Sequence, residues 1–179
     1  MLEVEAKIRV QNLASIQARL HQLGARDCGV IRERDVYFNA PHRDFGTTDE
    51  ALRIRYSEPG NAAMTYKGPK VAGFAAKARI ELTVSIDPAF SMEEILVTLG
   101  FAWVAEVRKV RSYYQLADAS VALDTVDGLG TFAEIEASAH LSPAEASATV
   151  DRTVKKLGIA GEYIALSYLE MLLAKTVTR

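Results

Sequence analysis

The sequence predicts an α+β fold: a closed antiparallel β-barrel of about eight strands, with helices packed on its outside. Three observations support this prediction. Segments that alternate apolar and polar residues recur along the chain, short turn sequences join them as in hairpins, and amphipathic helices with capping residues stand between and after them. The length of 179 residues suits one domain, which we expect to span residues 1–179.

The first half of the chain begins with a strand and a helix and continues as strands. Residues 2–10 alternate with a period of two, and Asn12 then caps a helix that ends at Gly24. We predict further strands over residues 30–39, 51–57, 63–67 and 76–86. A turn is expected at residues 41–46, and Pro59-Gly60-Asn61 is expected to break a hairpin.

The second half of the chain contains two apparent capping boxes. Ser91 and Glu94 predict the start of a short helix that closes at Gly100. Strands are predicted over residues 104–116, 121–126 and 131–137. Ser142 and Glu145 predict a second helix, which runs to residue 157, and a last helix is predicted over roughly residues 163–175.

The composition is that of an ordinary globular protein. The formal net charge is −2, with 21 basic and 23 acidic residues, so we expect neither a nucleic-acid nor a membrane partner. A single cysteine, Cys28, cannot form a disulfide within the chain and fits a reducing compartment. The N-terminus begins a charged strand at once, which argues against a signal peptide. We therefore expect a cytoplasmic protein.

The predicted strands carry ladders of charge. On residues 2–9, Leu2, Val4, Ala6 and Ile8 alternate with Glu3, Glu5, Lys7 and Arg9. The polar faces of later strands pair Arg53 with Arg55, Arg79 with Glu81, Lys109 with Arg111, and Glu134 with Glu136. A sheet with one face in water would show a similar pattern. However, clustered like charges repel one another unless something of opposite charge lies between them.

A closed barrel would remove this repulsion. Its apolar face would turn outward beneath the helices, and its charged face would line a wet central tunnel. Carboxylates at alternate strand positions can converge on a divalent cation, and arginines can make bidentate contacts with phosphate oxygens. Oxygen ligands beside many arginines favour magnesium or manganese together with phosphates. The residues therefore indicate phosphoryl chemistry.

One motif in the sequence resembles the signature of a known family. Glu3-Val4-Glu5-Ala6-Lys7 resembles the N-terminal ExExK signature of the CYTH proteins, the triphosphate tunnel metalloenzymes. This superfamily includes class IV adenylate cyclases, thiamine triphosphatases and inorganic tripolyphosphatases. The likeness continues in order over nearly the whole chain, through Asp35-Val-Tyr-Phe38, Ala51-Leu-Arg-Ile-Arg55, Thr65-Tyr-Lys-Gly-Pro69, Arg79-Ile-Glu81, Lys109-Val-Arg111, Leu123-Asp124, Phe132-Ala-Glu134-Ile-Glu136 and Ser167-Tyr168-Leu-Glu-Met-Leu172. The last of these is similar to the closing segment of the bacterial and archaeal cyclase-like branch.

The resemblance implies roles for these residues. Metal ligands would be Glu3, Glu5, Glu81, Asp124, Glu134 and Glu136. The triphosphate would bind Lys7, Arg53, Arg55, Lys67, Arg79, Lys109 and Arg111. Glu3, Glu5 and Lys7 would be the catalytic residues. Two positions depart from the family pattern, since Thr83 replaces a common Glu and Leu166 replaces a common Lys or Arg, whose contact Lys155 or Lys156 could supply.

The resemblance also implies an enzyme with a magnesium or manganese cofactor and a triphosphate small molecule as partner. We favour a class IV adenylate cyclase-like activity that converts ATP to cyclic AMP and pyrophosphate. The alternative is a triphosphatase that hydrolyses tripolyphosphate, thiamine triphosphate or a nucleoside triphosphate. A non-catalytic polyphosphate-binding module ranks third, and a homodimer is one expected assembly. Arg32, Glu33 and Arg34 are interpreted as a solvated edge.

Overall fold

A computed structural model describes residues 2–70 and 77–177 of the chain. The strands of this part are β1 (Leu2–Arg9), β2 (Arg26–Asn39), β3 (Ala51–Glu58), β4 (Asn61–Lys70), β5 (Lys77–Ser85), β6 (Ala102–Leu116), β7 (Ala119–Val126) and β8 (Gly130–Ala137). Its helices are α1 (Leu13–Gln22), α2 (Phe45–Thr48), α3 (Ala89–Thr98), α4 (Pro143–Leu157) and α5 (Tyr168–Val177). Residue 76, the first residue of one predicted strand, lies outside the described residues.

The described strands form one antiparallel sheet in the order β1-β5-β4-β3-β2-β6-β7-β8. β1 pairs on one side with β5, where Leu2 lies opposite Ile80, and on its other side with β8, where Lys7 lies opposite Glu134. The order of pairing therefore returns to the first strand, and the curled sheet has an inward and an outward face. The predicted α+β class and the antiparallel strands are confirmed.

Two helices cover the outward face of β1, β7 and β8. At the start of α1, the side chain of Asn12 accepts a hydrogen bond from the amide of Ser15. At the start of α4, Ser142 and Glu145 form the predicted capping box, and Gly158 ends the helix in a left-handed conformation. The apolar stripes of both helices pack with the outward side chains of these strands in a buried cluster. Both helix predictions are confirmed.

The other two predicted helices begin elsewhere. α3 starts at Ala89, directly after Pro88, whose side chain makes no capping hydrogen bond, so the capping box predicted at Ser91 is wrong. Proline fixes its own backbone in a conformation that can precede a first turn, and the helix starts there. α5 starts at Tyr168 instead of residue 163, because Ser167 and Glu170 cap it by reciprocal hydrogen bonds of 2.6 and 3.2 Å.

A short helix also replaces the second part of the turn predicted at residues 41–46. α2 begins at Phe45, where the Asp44 side chain accepts a hydrogen bond from the amide of Gly46. The amide of Phe45 donates to the side-chain oxygen of Asn39 over 2.8 Å, so the last residue of β2 also holds the helix. These bonds fix Phe45 at one end of the sheet.

The outward apolar face is covered only in part. The prediction that helices cover it is correct over β1, β7 and β8 but wrong for β5, where Ile80, Leu82 and Val84 remain 54%, 60% and 52% exposed. α3 packs instead against β3 and β6. No helix within the described ranges is both long and apolar enough to span a bilayer.

Candidate active site

The inward face of the sheet lines a cavity of about 560 Å³. Because side chains alternate along a strand, the charge ladders point into this space. The predicted site residues that line it are Glu5, Lys7, Arg53, Arg55, Lys67, Arg79, Glu81, Lys109, Arg111, Glu134 and Glu136. Asp124 is fully buried beside Arg111. Glu3 lies opposite Arg79 in the strand register, and its side chain is outside the described part of the molecule.

Two acidic residues of β2 hold the cations at the centre of the cavity. Asp35 accepts hydrogen bonds from Arg55 Nε at 2.6 Å and from Lys109 Nζ at 2.9 Å, and Arg53 Nη1 lies 3.4 Å away. Lys109 Nζ also lies 2.8 Å from Glu33 Oε2. Glu33 is only 4% exposed, so its interpretation as part of a solvated edge is wrong. The two carboxylates provide the opposite charge that clustered basic residues need.

These contacts set the ionisation of the central groups. Burial would raise the pKa of Asp35, but Arg53, Arg55 and Lys109 together hold that pKa well below its usual value. Burial, together with repulsion from Arg55, lowers the pKa of Lys109, and the attraction of Asp35 offsets this only in part. The three cations thus favour the charged form of Asp35, whereas burial and Arg55 make Lys109 easier to deprotonate than an ordinary lysine.

Arg111 organises a second group of charges on β6, β7 and β8. Its Nε donates to Asp124 Oδ1 over 2.6 Å, and its Nη2 contacts Glu134. Burial opposes the charge of Arg111, yet Glu134 and Asp124 raise its pKa well above the ordinary value. The hydroxyl of Tyr168 donates to Asp124 Oδ2 over 2.7 Å. Asp124 is thus enclosed by Arg111 and Tyr168, which suits it to position Arg111.

Lys7 is the cation that β1 contributes, and it is 4% exposed. Its Nζ lies 3.2 Å from Glu134 Oε1, 3.2 Å from the carbonyl oxygen of Leu166, and 4.2 Å from the ring centre of Tyr168. The backbone of residue 166 therefore contacts the site whatever side chain it carries. The proposed substitutes Lys155 and Lys156 are exposed on α4, whose packed face covers the outside of the sheet, so they do not replace a contact at Leu166.

The metal-ligand prediction rests on a pair of like charges. Glu5 on β1 lies directly opposite Glu136 on β8, and both side chains line the cavity. On its other side Glu5 is opposite Lys77, whose side chain is outside the described residues. A divalent cation between two opposed carboxylates could bind both of them. The donor chemistry of Glu5, Glu136 and the neighbouring Glu3 fits magnesium or manganese.

The described side chains alone do not complete such a centre. Across residues 4–70 and 79–175, no three Asp, Glu, His or Cys side chains form a group that could hold a metal ion. Glu134 and Asp124 are engaged by Arg111, and Glu81 Oε2 lies 2.6 Å from Lys67 Nζ. These three predicted ligands thus serve as partners of the cations in this structure.

A further ion network lies where α2, α5 and the ends of β4 and β5 meet. Arg79 Nη2 donates to the carbonyl and the side chain of Asp49 over 3.0 and 3.2 Å. Asp49 also accepts from Lys70 Nζ over 2.6 Å, and Lys70 reaches Glu170 over 3.0 Å. Burial opposes the ionisation of Asp49, but Lys70 and Arg79 lower its pKa. Arg79 is therefore held by the protein itself at the edge of the cavity.

Several residues of this site were missed by sequence reasoning. Glu33, Asp35 and Tyr37 alternate along β2, so they share one face, and this pattern could have placed the two carboxylates inside. Tyr168 was noticed only as part of a motif. The position of Asp49 depends on α2, which was not predicted. Thr83, where a Glu was expected, faces the cavity and hydrogen-bonds Thr65 over 3.1 Å.

The family model described as CYTH domain matches residues 1–165 of the chain. The protein named "Putative adenylate cyclase MJ0240" from Methanocaldococcus jannaschii is 41% identical over 138 residues, which are 77% of this chain and 78% of that protein.

Solved structures show the same fold. The PH1819 protein from Pyrococcus horikoshii OT3 is 34% identical and has a TM-score of 0.87, with 97% of this chain and 99% of that chain covered. The protein named "Putative adenylyl cyclase HpAC1" from Hippeastrum, which is described as having a dominant triphosphatase activity, has a TM-score of 0.73 at 20% identity, with 97% of this chain and 96% of that chain covered. This last likeness is one of fold alone.

Proposed function

The chain belongs to the CYTH domain family, and from that premise we propose that it is a metal-dependent phosphoryl-transfer enzyme for a triphosphate substrate. The preferred activity is that of a class IV adenylate cyclase, which converts ATP to cyclic AMP and pyrophosphate. One observation carries the proposal: seven basic side chains line the same cavity as the opposed carboxylates of Glu5 and Glu136. Cations for a polyphosphate and ligands for a divalent metal are thereby combined in one space.

In this proposal the sheet encloses the substrate as a tunnel within a single domain over residues 1–179. Lys7, Arg53, Arg55, Lys67, Arg79, Lys109 and Arg111 bind the triphosphate oxygens. Phosphoryl transfer depends mainly on positioning and on neutralising charge. The protein contributes to both, because Asp35 and Asp124 hold their arginines at fixed places before a substrate arrives.

Glu3, Glu5 and Glu136 would hold magnesium or manganese, with Glu134 beside them as the partner of Lys7. When bound, the metal neutralises phosphate charge and activates the attacking oxygen. Lys7 keeps its ammonium group directed at the phosphates, because Glu134, the Leu166 carbonyl and the Tyr168 ring surround it. Glu81 and Asp124 act in this scheme by positioning Lys67 and Arg111.

A triphosphatase is the second candidate. The same cations and carboxylates would serve attack by water as well as attack by the ribose 3′-hydroxyl, and HpAC1 combines this fold with a dominant triphosphatase activity. The name of the Methanocaldococcus relative, which is more similar in sequence, supports the cyclase. A homodimer and a cytoplasmic location remain predictions.

Product analysis decides between the two activities. Purified protein is incubated with ATP, tripolyphosphate or thiamine triphosphate in the presence of magnesium or manganese. Cyclic AMP and pyrophosphate as the main products support the cyclase, whereas orthophosphate release alone excludes it and supports the triphosphatase. Removal of the metal with a chelator is expected to abolish either activity, and binding without any product would leave only a polyphosphate-binding module.

A further inference from the structure

Arg79 lines the cavity with one part of its guanidinium group already bound by the protein. Its Nη2 donates to Asp49 twice, to the backbone carbonyl over 3.0 Å and to the carboxylate over 3.2 Å. Its Nε, by contrast, is buried and has no hydrogen-bond partner among the described residues. A buried donor without an acceptor is costly, and its retention is understandable where a ligand supplies the missing oxygen.

The carboxylate of Asp49 is itself held in a defined place. Asp49 directly follows α2 in the left-handed region, with a φ of 55°. Its Oδ2 accepts from the amide of Lys70 over 2.7 Å, and its Oδ1 accepts from Lys70 Nζ over 2.6 Å. The turn after α2 and the last residue of β4 therefore together set the position from which Asp49 meets Arg79.

Glu170 connects this pair to α5. Its Oε1 lies 3.0 Å from Lys70 Nζ, and its Oε2 accepts from the amide of Ser167 over 2.6 Å. Burial opposes the charge of Lys70, yet Asp49 and Glu170 raise its pKa. A line of contacts thus runs from the start of α5 through Lys70 and Asp49 to a cation of the cavity.

The contribution of these ion pairs to stability is expected to be small. The side chains of Asp49 and Glu170 are 38% and 37% exposed, whereas that of Arg79 is 5% exposed. Ion pairs with such exposed members add little to the free energy of unfolding. What they determine instead is the orientation of a buried guanidinium group, and orientation matters to a ligand that must meet it.

We propose that Asp49 is a positioning residue for triphosphate binding. It orients Arg79 so that the unpaired Nε meets a phosphate oxygen, and Lys70 and Glu170 hold Asp49 in place for this task. The helix α5 thereby contributes to affinity through Arg79 without supplying a cation of its own. This inference rests on the proposed function, since it assumes that Arg79 binds the triphosphate.

The test measures binding of tripolyphosphate and of ATP to Asp49→Asn by calorimetric titration. Calcium replaces magnesium to limit turnover, since both are bound by oxygen ligands. Asn tolerates the left-handed conformation, so the substitution removes mainly the charge. Loss of a negative charge alone would tighten binding of a polyanion, whereas loss of the positioning contact should weaken binding of both ligands about tenfold.

Asp44→Asn is the matched control for this substitution. Asp44 lines the same cavity, but its side chain contacts Asn39 and the amide of Gly46 instead of Arg79. Asn is as good a helix cap as Asp, so α2 should be kept. Binding of tripolyphosphate and ATP by Asp44→Asn should therefore be unchanged or slightly tighter.

Glu170→Gln tests the longer route through Lys70. Gln can still accept a hydrogen bond from the amide of Ser167, but the ion pair with Lys70 is lost. The affinity for both ligands should fall about 1.5- to 5-fold, the range that exposed ion pairs give. Glu145→Gln is its control, because Glu145 caps α4 in the same way on the outward side of the sheet.

A double substitution separates positioning from a general disturbance. In an Arg79→Gln background, Asp49→Asn should no longer weaken binding, and an equal loss in both backgrounds overturns the proposal. Unchanged or tighter binding by Asp49→Asn, or a loss confined to ATP, also overturns it and leaves the triphosphate site in place. If Asp49→Asn does not fold, Glu170→Gln decides, and an affinity equal to that of its control overturns the proposal.

The wild-type protein distinguishes this inference from the proposed function. Failure to bind either tripolyphosphate or ATP overturns both. Binding that weakens in Asp49→Asn as expected, but without any product in magnesium or manganese, overturns only the catalytic proposal and supports the positioning role of Asp49.

Discussion

Two regions of the inward face differ in how charges are paired across the strands. Where β2 meets β3 and β6, opposite charges lie in register, with Asp35 facing Arg55 and Glu33 facing Lys109. Where β1 meets β8, Lys7 faces Glu134, but one step along the strands Glu5 faces Glu136. Opposite pairs stabilise a sheet and like pairs destabilise it. The first region thus pairs opposite charges across the strands, whereas the second places two carboxylates opposite each other, where a divalent cation could bind both.

This difference separates two tasks within one cavity. The anions of β2 hold their cations in place without any ligand, so this region is preorganised to receive a polyanion. The carboxylates at the β1–β8 contact cannot stabilise each other. Their pairing is understandable if they are retained for a metal, because carboxylates from neighbouring strands can converge on one divalent cation.

The largest expected effect is on the free energy of unfolding, and it concerns the region where β2 meets β3 and β6. In Asp35→Ala, Arg53, Arg55 and Lys109 keep their buried charges but lose their shared partner. Removing one member of a buried ion pair costs about 3–5 kcal/mol, and we expect a loss of that size in the free energy of unfolding, measured by denaturant titration at pH 7. Asp118→Ala, on an exposed residue, should change it by less than about 0.5 kcal/mol. Equal effects of the two substitutions would contradict the comparison.

The second prediction concerns the opposed carboxylates of Glu5 and Glu136. Glu136→Gln removes one carboxylate of a proposed metal pair, and kcat/KM should fall at least ~100-fold, since even the outer partners of metal ligands cost about 10–100-fold. The free energy of unfolding in a chelator should change by less than about 0.5 kcal/mol, because Glu136 is exposed. Glu162→Gln, on an exposed residue, serves as the control. Full activity of Glu136→Gln, or of Glu5→Gln, would disprove the metal assignment.

A smaller effect should distinguish Glu134 from its neighbour Glu136. Because Glu134 contacts Lys7 and Arg111, Glu134→Gln should misplace these cations and raise the KM for the triphosphate about tenfold. The metal concentration for half-maximal activity should change little. A large rise in that concentration, measured by magnesium titration, would show instead that Glu134 is a ligand as the family resemblance implies.

A smaller effect still is expected on the pH dependence of kcat/KM. The pKa of Lys109 is lowered, chiefly by burial and by Arg55. Phosphate binding needs the protonated lysine, so kcat/KM should be full below this pKa and decline as pH rises through it, earlier than for an ordinary lysine. Lys109→Arg should move the decline to higher pH with little change at pH 7, and Lys156→Arg should not. An unmoved decline would exclude Lys109 as the titrating group.

The contribution of Asp35 to the free energy of unfolding should be lost in acid. The pKa of Asp35 is lowered well below its usual value in the folded protein. Its stabilising contribution is therefore complete above the unfolded pKa of about 3.9, and it is lost as pH falls through the folded pKa. As the pH is lowered, the free energy of unfolding should fall less in Asp35→Ala than in the wild-type protein. Parallel curves of unfolding free energy against pH for the two proteins would contradict this.

Much of the fold could be predicted because its signals are local. Strand alternation located the eight strands, and the caps at Asn12 and Ser142 located two helices. The start of α3 was misplaced because a capping sequence at Ser91 competed with Pro88, and only the packed structure shows which one begins the helix. The start of α5 was misplaced although Ser167 and Glu170 carry the same capping signal as Ser142 and Glu145.

The site was predictable in its composition but not in its pairing. Alternation indicated which charges share a face, yet the register between strands decides whether Lys109 meets Glu33 or another residue. The sequence contains no local signal for that register, which depends on twist, bulges and turn lengths. For this reason the basic residues were expected to await an external anion, whereas the structure supplies Asp35 and Glu33 from β2.

The contact between Lys7 and the carbonyl of Leu166 joins residues 159 positions apart in the sequence. The amide of Ile164 donates to the Lys7 carbonyl over 2.8 Å, so the backbone is tied there as well. During synthesis, β1 leaves the ribosome long before Ile164 and Leu166 are made. Contacts between residues so far apart in the sequence also form slowly. A nascent chain therefore cannot hold Lys7 in its working position, and the protein should acquire its chemistry only when translation of this region is complete.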